Sequence, residues 1–440
     1  MDKCYWNPVF ETMDRKMLEE IQLRRLKCAI KYAYEKSSAY RQLYNEYGIR
    51  IEDVQSFEDF QKLPLVDKTF ISNSLDETLY GKMMTVGIDE VMIHNQTSGT
   101  TSRPVAQPNT LEDWYAYAEC WANVLWAQGV RANDMVMIAF GYNLFIGFWG
   151  AHYGCEKIGA TIIPTGSMTS EQRLEKMKEM SVTTLTTTPT YAFRLHEVAE
   201  KMGIDTRSMG LKRIICAGEP GALVPSIKSK LEEYWNCDVF DHVGATEVGA
   251  WGFECSDKTG GLHVDESMYY AEILDFDTDE VITEPNVYGK LVITAFYRKA
   301  RPCIRFNTND IACWQEGVCS CGRTYKRIKG GIQGRTDYIL KVKGTFVNPV
   351  VIEDIMGKME KISGEYLIVI PEDGKRIQLQ VEAAENIDET EYGAIGHKIM
   401  KTILNKTILH FDVEMLPFGT LPRSNHKSKR VKDLRKRHEV

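Results

Sequence analysis

The stretch Met135-Val136-Met137-Ile138-Ala139-Phe140 is followed by Gly141-Tyr142-Asn143-Leu144-Phe145-Ile146-Gly147-Phe148-Trp149-Gly150 and then by Ala151-His152-Tyr153-Gly154. The apolar run is short, which suits a buried strand better than a buried helix. A glycine-rich turn and a helical pattern come next, so the stretch reads as one strand–turn–helix unit of an α/β protein. The unit recurs. Short apolar runs at 161–163 and 182–188 are each followed by a helical pattern, and the run 211–216 ends at Ala217-Gly218-Glu219-Pro220. Val239-Phe240 then lead into Asp241-His242-Val243-Gly244-Ala245-Thr246-Glu247. Strands alternating with helices predict a mostly parallel sheet flanked by helices, with ligands at the carboxyl ends of the strands. The segments after 140, 216 and 240 all fall at such ends. Glycines at 141, 147 and 150 would open space beside aromatic side chains, as in a pocket, or would simply allow tight helix packing.

Outside this region the pattern changes. Residues 14–45 read as one helix, with Asp14 as N-cap and Leu23, Leu26, Ile30 and Ala33 at helical spacing. Segments 271–275, 289–296 and 302–306 read as antiparallel strands. The C-terminal part reads as helix 348–358, strands 365–370 and 376–383, helix 388–403 and strand 409–416, a compact α+β unit. A chain of 440 residues exceeds the size at which one core keeps growing, so two or three domains are expected.

The net charge of −7 argues against a nucleic-acid partner for the chain as a whole. The basic end, Lys427 to Arg437, reads as a solvated tail. No run of about 18 apolar residues suggests a membrane span. The start, Met1-Asp2-Lys3-Cys4-Tyr5-Trp6, lacks the apolar core of a signal peptide, and eleven cysteines then point to the reducing cytoplasm. Most of these cysteines read as small buried hydrophobes. Cys255 and His263, with Cys319 and Cys321, nevertheless supply three thiols and one imidazole, a closed tetrahedral set for structural Zn²⁺. The spacing is not that of a standard finger, and Cys303 and Cys313 are alternative ligands.

Thr97-Ser98-Gly99-Thr100-Thr101-Ser102-Arg103-Pro104 combines hydroxyls, one glycine and a cation. Backbone N–H groups in such a loop can cradle an anion, and the Arg103 fork suits phosphate oxygens. A plain Ser/Thr-rich surface turn is the alternative. It is not a Walker A loop, for no Gly-Lys-Ser/Thr follows. Glu247, after Gly-x-Thr at a strand end, is either a solvated charge or a ligand for Mg²⁺.

The loop resembles the phosphate loop of acyl-adenylate-forming enzymes, Ser-Gly-Thr-Thr-Gly-x-Pro-Lys, and more narrowly that of the phenylacetate–CoA ligase branch. Ser102 replaces a glycine, and Arg103 is the nearest cation to the missing lysine. The stretch from Tyr5-Trp6-Asn7-Pro8 to Ser37-Ser38-Ala39-Tyr40-Arg41 resembles the start of the same ligases. Asp241 to Glu247 resembles the family's Tyr-Gly-x-Thr-Glu, with Val243 in the place of the adenine-stacking aromatic. Arg305-Phe306-Asn307-Thr308-Asn309-Asp310 resembles Arg-x-x-Thr-Gly-Asp, whose Asp holds the ribose hydroxyls. Asn309 replaces glycine there and tolerates the left-handed backbone almost as well. Leu421 to Arg430 resembles the terminal Pro-Arg-x-x-x-Lys, with Lys427 as the match.

The resemblance implies a large N-terminal domain, 1–333, with mostly parallel sheets, flanking helices and a β subdomain. A small mobile α+β lid, 334–440, follows a hinge at Asp337. It implies catalytic roles for Lys427, Glu247 and Arg103. ATP contacts are implied for Ser98, Gly99, Thr100, Thr101, Gly218, Glu219, Pro220, Asp241, Val243, Thr246, Asp310 and Arg335. The acid pocket would use Tyr142, Phe145, Trp149, Ala217, His242, Gly244 and Ala245. Some members of the branch carry a Cys/His cluster like the one noted above. The implied chemistry is attack of a carboxylate on ATP·Mg²⁺ to give an acyl-adenylate and pyrophosphate, followed by thioester formation with coenzyme A. The aromatic residues of the pocket, with Trp251, favour an aryl or arylacetic acid. Three other readings stand beside this one: acyl transfer to a carrier-protein phosphopantetheine or an amine, a non-catalytic nucleotide- or acid-binding homologue, and a zinc-dependent interaction module. Assembly as a homodimer is left open.

Overall fold

The computed structural model describes residues 5–97, 105–219, 221–336, 340–342, 345–347, 349–372, 376–407, 409–423 and 430–434. Its centre is an eight-stranded sheet in the order Arg327–Lys329, Gly261–Val264, Gly249–Phe253, Asp238–Ala245, Arg213–Cys216, Thr184–Thr187, Met135–Ile138, Thr161–Pro164. The last five strands are mutually parallel, while the first three continue the sheet antiparallel from Asp238–Ala245. Helices Gly147–Ile158, Ser170–Glu179, Pro189–Lys201 and Pro225–Trp235 make the parallel crossovers. The chain passes from Met135–Ile138 outward to Thr161–Pro164 and then returns to the other side of the first strand. This reversal opens a crevice at the carboxyl ends of the strands, where open α/β sheets take their ligands.

The expected strands are present, but shorter at 135–138, 184–187 and 213–216. The larger difference is at Asp241–Ala245, read as part of a loop. It is the second half of strand Asp238–Ala245, because Gly249–Phe253 folds back and pairs with it, with a register shift at Val243/Gly244. The return is tight. A Cβ on Gly244 would stand 2.6 Å from the Gly249 carbonyl, and Gly249 itself has φ +122°.

A three-stranded antiparallel sheet follows, Tyr269–Leu274, Gly289–Ala295 and Cys303–Ala312. Its last strand outruns the expected 302–306 and carries the Arg305–Asp310 motif. Residues of a strand alternate between faces. Phe306, Thr308 and Asp310 thus look one way, and Arg305 looks the other way into a buried fork–fork pair with Glu272, with both contacts at 3.1 Å. Asn309 has φ +62°, the left-handed backbone expected of it.

The expected helix 14–45 is two helices, Arg15–Lys36 and Ser38–Glu46. Ser37 between them is extended, and its hydroxyl accepts from the Tyr40 N–H at 3.3 Å. A serine that satisfies a free amide of the next helix favours a new N-terminus over a continued helix. The bend carries Tyr40 and Tyr44 into the core. Asp14 caps the first helix as expected.

The C-terminal residues form a four-stranded sheet, Phe411–Leu416, Ile377–Ala383, Ile362–Ile370 and Val431–Asp433, with helices Pro349–Gly357 and Tyr392–Thr407. Val431–Asp433, read as tail, pairs parallel with Ile362–Ile370. Ile352, Tyr366, Ile368, Leu379, Ile399 and Phe411 close a core of their own. Among the described residues no helix is long and apolar enough to cross a membrane.

Candidate active site

One cavity of about 330 Å³ lies at the carboxyl ends of the parallel strands. Three backbone segments build most of its wall. The turn after Arg213–Cys216 supplies Ala217, Gly218 and Glu219. The strand Asp238–Ala245 and the turn beyond it supply Asp241, His242, Val243, Gly244, Ala245, Thr246 and Glu247. Phe306, Thr308 and Asp310 come from the antiparallel sheet, and Arg335 from beyond it. Thus thirteen of the residues singled out as site residues in the sequence share one cavity: the twelve just named other than Phe306 and Thr308, and Phe145.

Each group is held by its surroundings. The Arg335 guanidinium meets the Asp310 carboxylate at 3.4 Å and the Thr308 carbonyl at 3.4 Å. The Glu219 carboxylate accepts from the Thr190 N–H at 2.8 Å, at the start of helix Pro189–Lys201, so its charge is turned toward that helix end. Burial, helped by repulsion from Glu254, pushes the Asp241 carboxyl up to about 8, and Lys228 only partly opposes this. Burial lowers His242 to about 4, so its ring is neutral. The Glu247 carboxylate is buried, and its Oε1 has no hydrogen-bond partner among the described residues. Lys68 Nζ lies 3.4 Å from that oxygen. A buried carboxylate oxygen with free lone pairs in the wall of a cavity fits a hard cation.

Lys68 was not marked by the sequence, where it looks like any surface lysine. Tertiary contact brings it here: Val66 exchanges backbone hydrogen bonds with Arg305 and Asn307, and Asp67 then caps the short helix that Lys68 begins. Tyr117 and Trp121 were also missed. They lie inside helix Leu111–Ala127 and read as ordinary core aromatics, yet both line the cavity. Ile146, Gly147 and Phe148 join Phe145 there.

Two expected pocket residues stand apart. Tyr142 and Trp149 pack edge to face at 4.7 Å but do not line the cavity, because the Tyr142 hydroxyl is engaged with His152 and the Trp149 indole donates to the Asn143 carbonyl. Trp251 is fully buried in the core. Ser98, Gly99, Thr100, Thr101, Arg103, Pro220, Asp337 and Lys427 lie outside the described residues. Thr97 lines the cavity, and its hydroxyl accepts from the Val105 N–H at 2.9 Å. Thr97, at the start of the hydroxyl-rich loop, therefore reaches the site.

Cys255, His263, Cys319 and Cys321 come together at the antiparallel end of the large sheet, with their ligand atoms all within 4.8 Å. Cys255 Sγ lies 3.6 Å from Cys319 Sγ, and Cys321 Sγ lies 3.5 Å from His263 Nε2. Zn–S bonds of about 2.3 Å at tetrahedral angles need edges of about 3.8 Å, so the set is already at metal-binding spacing. Cys303 and Cys313 do not belong to it. The N-terminal segment clasps the cluster. Tyr5 Oη donates to the Cys321 carbonyl at 2.6 Å, and Arg323 pairs with buried Glu11 at 2.6 Å.

Residues 40–295 match the AMP-binding enzyme family, and residues 344–435 match the AMP-binding enzyme C-terminal domain. The chain belongs to the AMP-binding enzymes. It is 30% identical to phenylacetate–coenzyme A ligase of Thermus thermophilus, over 98% of this chain and all of that one. It is 28% identical to the Escherichia coli phenylacetate–coenzyme A ligase, over 97% of each. The crystal structure of 2-hydroxyisobutyryl-CoA ligase in the postadenylation state with 2-HIB-AMP superposes with a TM-score of 0.93 at 29% identity, covering 98% of this chain and 93% of that one. The same enzyme with 2-HIB-AMP and CoA, in the thioesterification state, gives a TM-score of 0.75 over 99% of this chain and 93% of that one. The adenylate-forming fold and the phenylacetate–CoA ligase branch expected from the motifs are those of this AMP-binding chain.

Proposed function

We propose that this chain is an AMP-forming acid–CoA ligase. A carboxylate attacks the α-phosphorus of ATP, pyrophosphate leaves, and the coenzyme A thiol then attacks the acyl carbon and releases AMP. The observation that carries this reading is the convergence on one cavity of Glu247, Asp310, Thr97 at the start of the hydroxyl-rich loop, and aromatic side chains.

Nucleotidyl transfer asks mainly for positioning and for charge neutralisation. In this reading Asp310 holds the ribose hydroxyls and is itself oriented by Arg335. Asp241 and Gly218 line the adenine end, where Val243 replaces a stacking ring. Arg103 and Lys427 meet the phosphates. Glu247 holds Mg²⁺, a cation that screens the triphosphate charge when bound. Lys68, close to the same carboxylate, can steer that charge before the cation arrives. Phe145, Phe148, Tyr117 and Trp121 face the acid, which favours an aryl or arylacetic substrate.

The domain division at 333/334, with a hinge at Asp337, is supported by the separate C-terminal core and by the separate family match there. The relative's two states overlay this chain to different degrees, as a moving lid would produce. Free coenzyme A as acceptor, before a carrier protein or an amine, is supported by the CoA held in that relative. Structural Zn²⁺ at Cys255, His263, Cys319 and Cys321 is supported by the tetrahedral spacing and by the lack of an open ligand position. Cytoplasmic location is supported by the ten described cysteines, all free thiols.

The test is pyrophosphate release over aromatic, aliphatic and amino acids, first without and then with coenzyme A, with product analysis. Release without CoA and acyl-CoA only with it is the expected result. ATP binding without pyrophosphate from any acid would make the chain a non-catalytic homologue.

A further inference from the structure

His242 has one job that its surroundings explain and one ring atom that they do not. Its Nδ1 lies 2.8 Å from the Gly252 carbonyl, on the antiparallel neighbour strand. A carbonyl oxygen only accepts, so Nδ1 carries the proton. Nε2 is then a bare lone pair, and it is not one of the fully buried atoms left without a partner. The side chain is only 4% exposed, yet it lines the cavity, with its ring 4.2 Å from that of Trp121. Its ring therefore sits at the aromatic end of the cavity, beside Tyr117, Trp121 and Phe148. Water can serve this acceptor while the cavity is empty; a ligand that displaces the water and brings no donor leaves the lone pair unpaired, at a cost.

We propose that His242 is a specificity residue and that the acid this chain activates carries a hydrogen-bond donor, a hydroxyl or an amino group, which it gives to His242 Nε2. This rests on the acid–CoA ligase reading and narrows its substrate class. The ring is suited to the task. Burial keeps it neutral, so it does not switch to attract a second carboxylate. The tautomer is locked by Gly252, so it does not turn to serve an acceptor. An ether or carbonyl oxygen in the same place would face a lone pair.

The experiment measures kcat/KM for pyrophosphate release on matched acids. Pairs are phenylacetate with its three ring-hydroxylated forms, benzoate with its hydroxy and amino forms, and isobutyrate with 2-hydroxyisobutyrate. The hydroxy and amino arms separate the two donors. At least one donor-bearing acid should exceed its parent by about tenfold or more. In His242→Phe the ratio should fall toward one, and in His242→Gln, which keeps an acceptor, it should recover in part. The ratio is taken within each protein, so a general loss of stability does not mimic it. The O-methyl analogue of the preferred hydroxy acid serves as a control on wild-type protein and should be used no better than the parent. Parent acids used as well as every donor-bearing acid, an unchanged ratio in His242→Phe, or an equally good methyl ether would overturn the inference and leave the ligase reading intact. No pyrophosphate from any acid would overturn both.

Discussion

Replacing Glu247 by glutamine should separate stability from catalysis. The carboxylate is 4% exposed in its side chain, and its nearest countercharge is Lys68 Nζ at 3.4 Å. At an effective dielectric of about 20 that separation corresponds to about 5 kcal/mol of Coulomb energy. Lys68 is nearly half exposed, and pairs with one solvated partner deliver about 1 kcal/mol or less. Burying a carboxylate costs several kcal/mol, and this pair alone does not repay it. The charge of buried Arg301 also acts on Glu247, so the burial cost and the two attractions come close to cancelling. Glu247→Gln removes the cost and the attractions together and leaves Lys68 in water. Its Tm without ligand should be unchanged within about 2 °C, or higher. Pyrophosphate release should fall by about 10²–10³, as when one preorganised charge contact to a reacting group is removed. Both are read on one preparation, by calorimetry and by a coupled pyrophosphate assay at saturating acid. A Tm lowered by more than about 5 °C would make Glu247 a structural residue. Activity within threefold of wild type would remove it from the phosphate site.

Three further outcomes follow from the same geometry, and a fourth from the motif that carries Lys427. Cys321→Ser should lower bound zinc from about one equivalent to well below it and reduce Tm by several degrees, since a closed site contributes its binding energy to folding; metal analysis showing no zinc in the wild type would refute the staple. Asp310→Ala should raise KM for ATP about tenfold or more with KM for the acid nearly unchanged, and equal changes in both would count against a ribose contact. Asp241 is held protonated by burial, up to about 8, so the native state binds a proton that the unfolded state has lost. That contribution is complete below about pH 4 and fades as pH rises toward 8; Asp241→Asn should flatten the fall in Tm between pH 5 and 8, and an unchanged slope would refute the assignment. Lys427→Ala should abolish adenylation while thioester formation from supplied acyl-adenylate largely survives, and equal loss of both half-reactions would argue against a role in the first.

Motif order and local pattern carried much of this chain. The alternation of strand and helix from 135 to 245, the antiparallel strands after 270, and the left-handed Asn309 are local properties, and each was legible before any contact was known. The Cys/His set was legible too, because few residue types hold zinc. Positions whose meaning depends on which atoms a side chain meets were not. Ser37 looks like one more residue of a helix until its hydroxyl is seen to cap Tyr40. Tyr142 and Trp149 look like pocket aromatics until His152 and the Asn143 carbonyl are seen to hold them aside.

By itself the amino-acid sequence determined the family, the order of the phosphate, base and ribose segments, and the residue types available to the chemistry, because these reside in short runs and in their spacing. Only the tertiary structure decided that Lys68 stands beside Glu247, that Tyr117 and Trp121 wall the cavity, and that the Gly252 carbonyl engages His242 Nδ1. Those facts depend on through-space contact between segments far apart in the chain, and no local pattern encodes a distance.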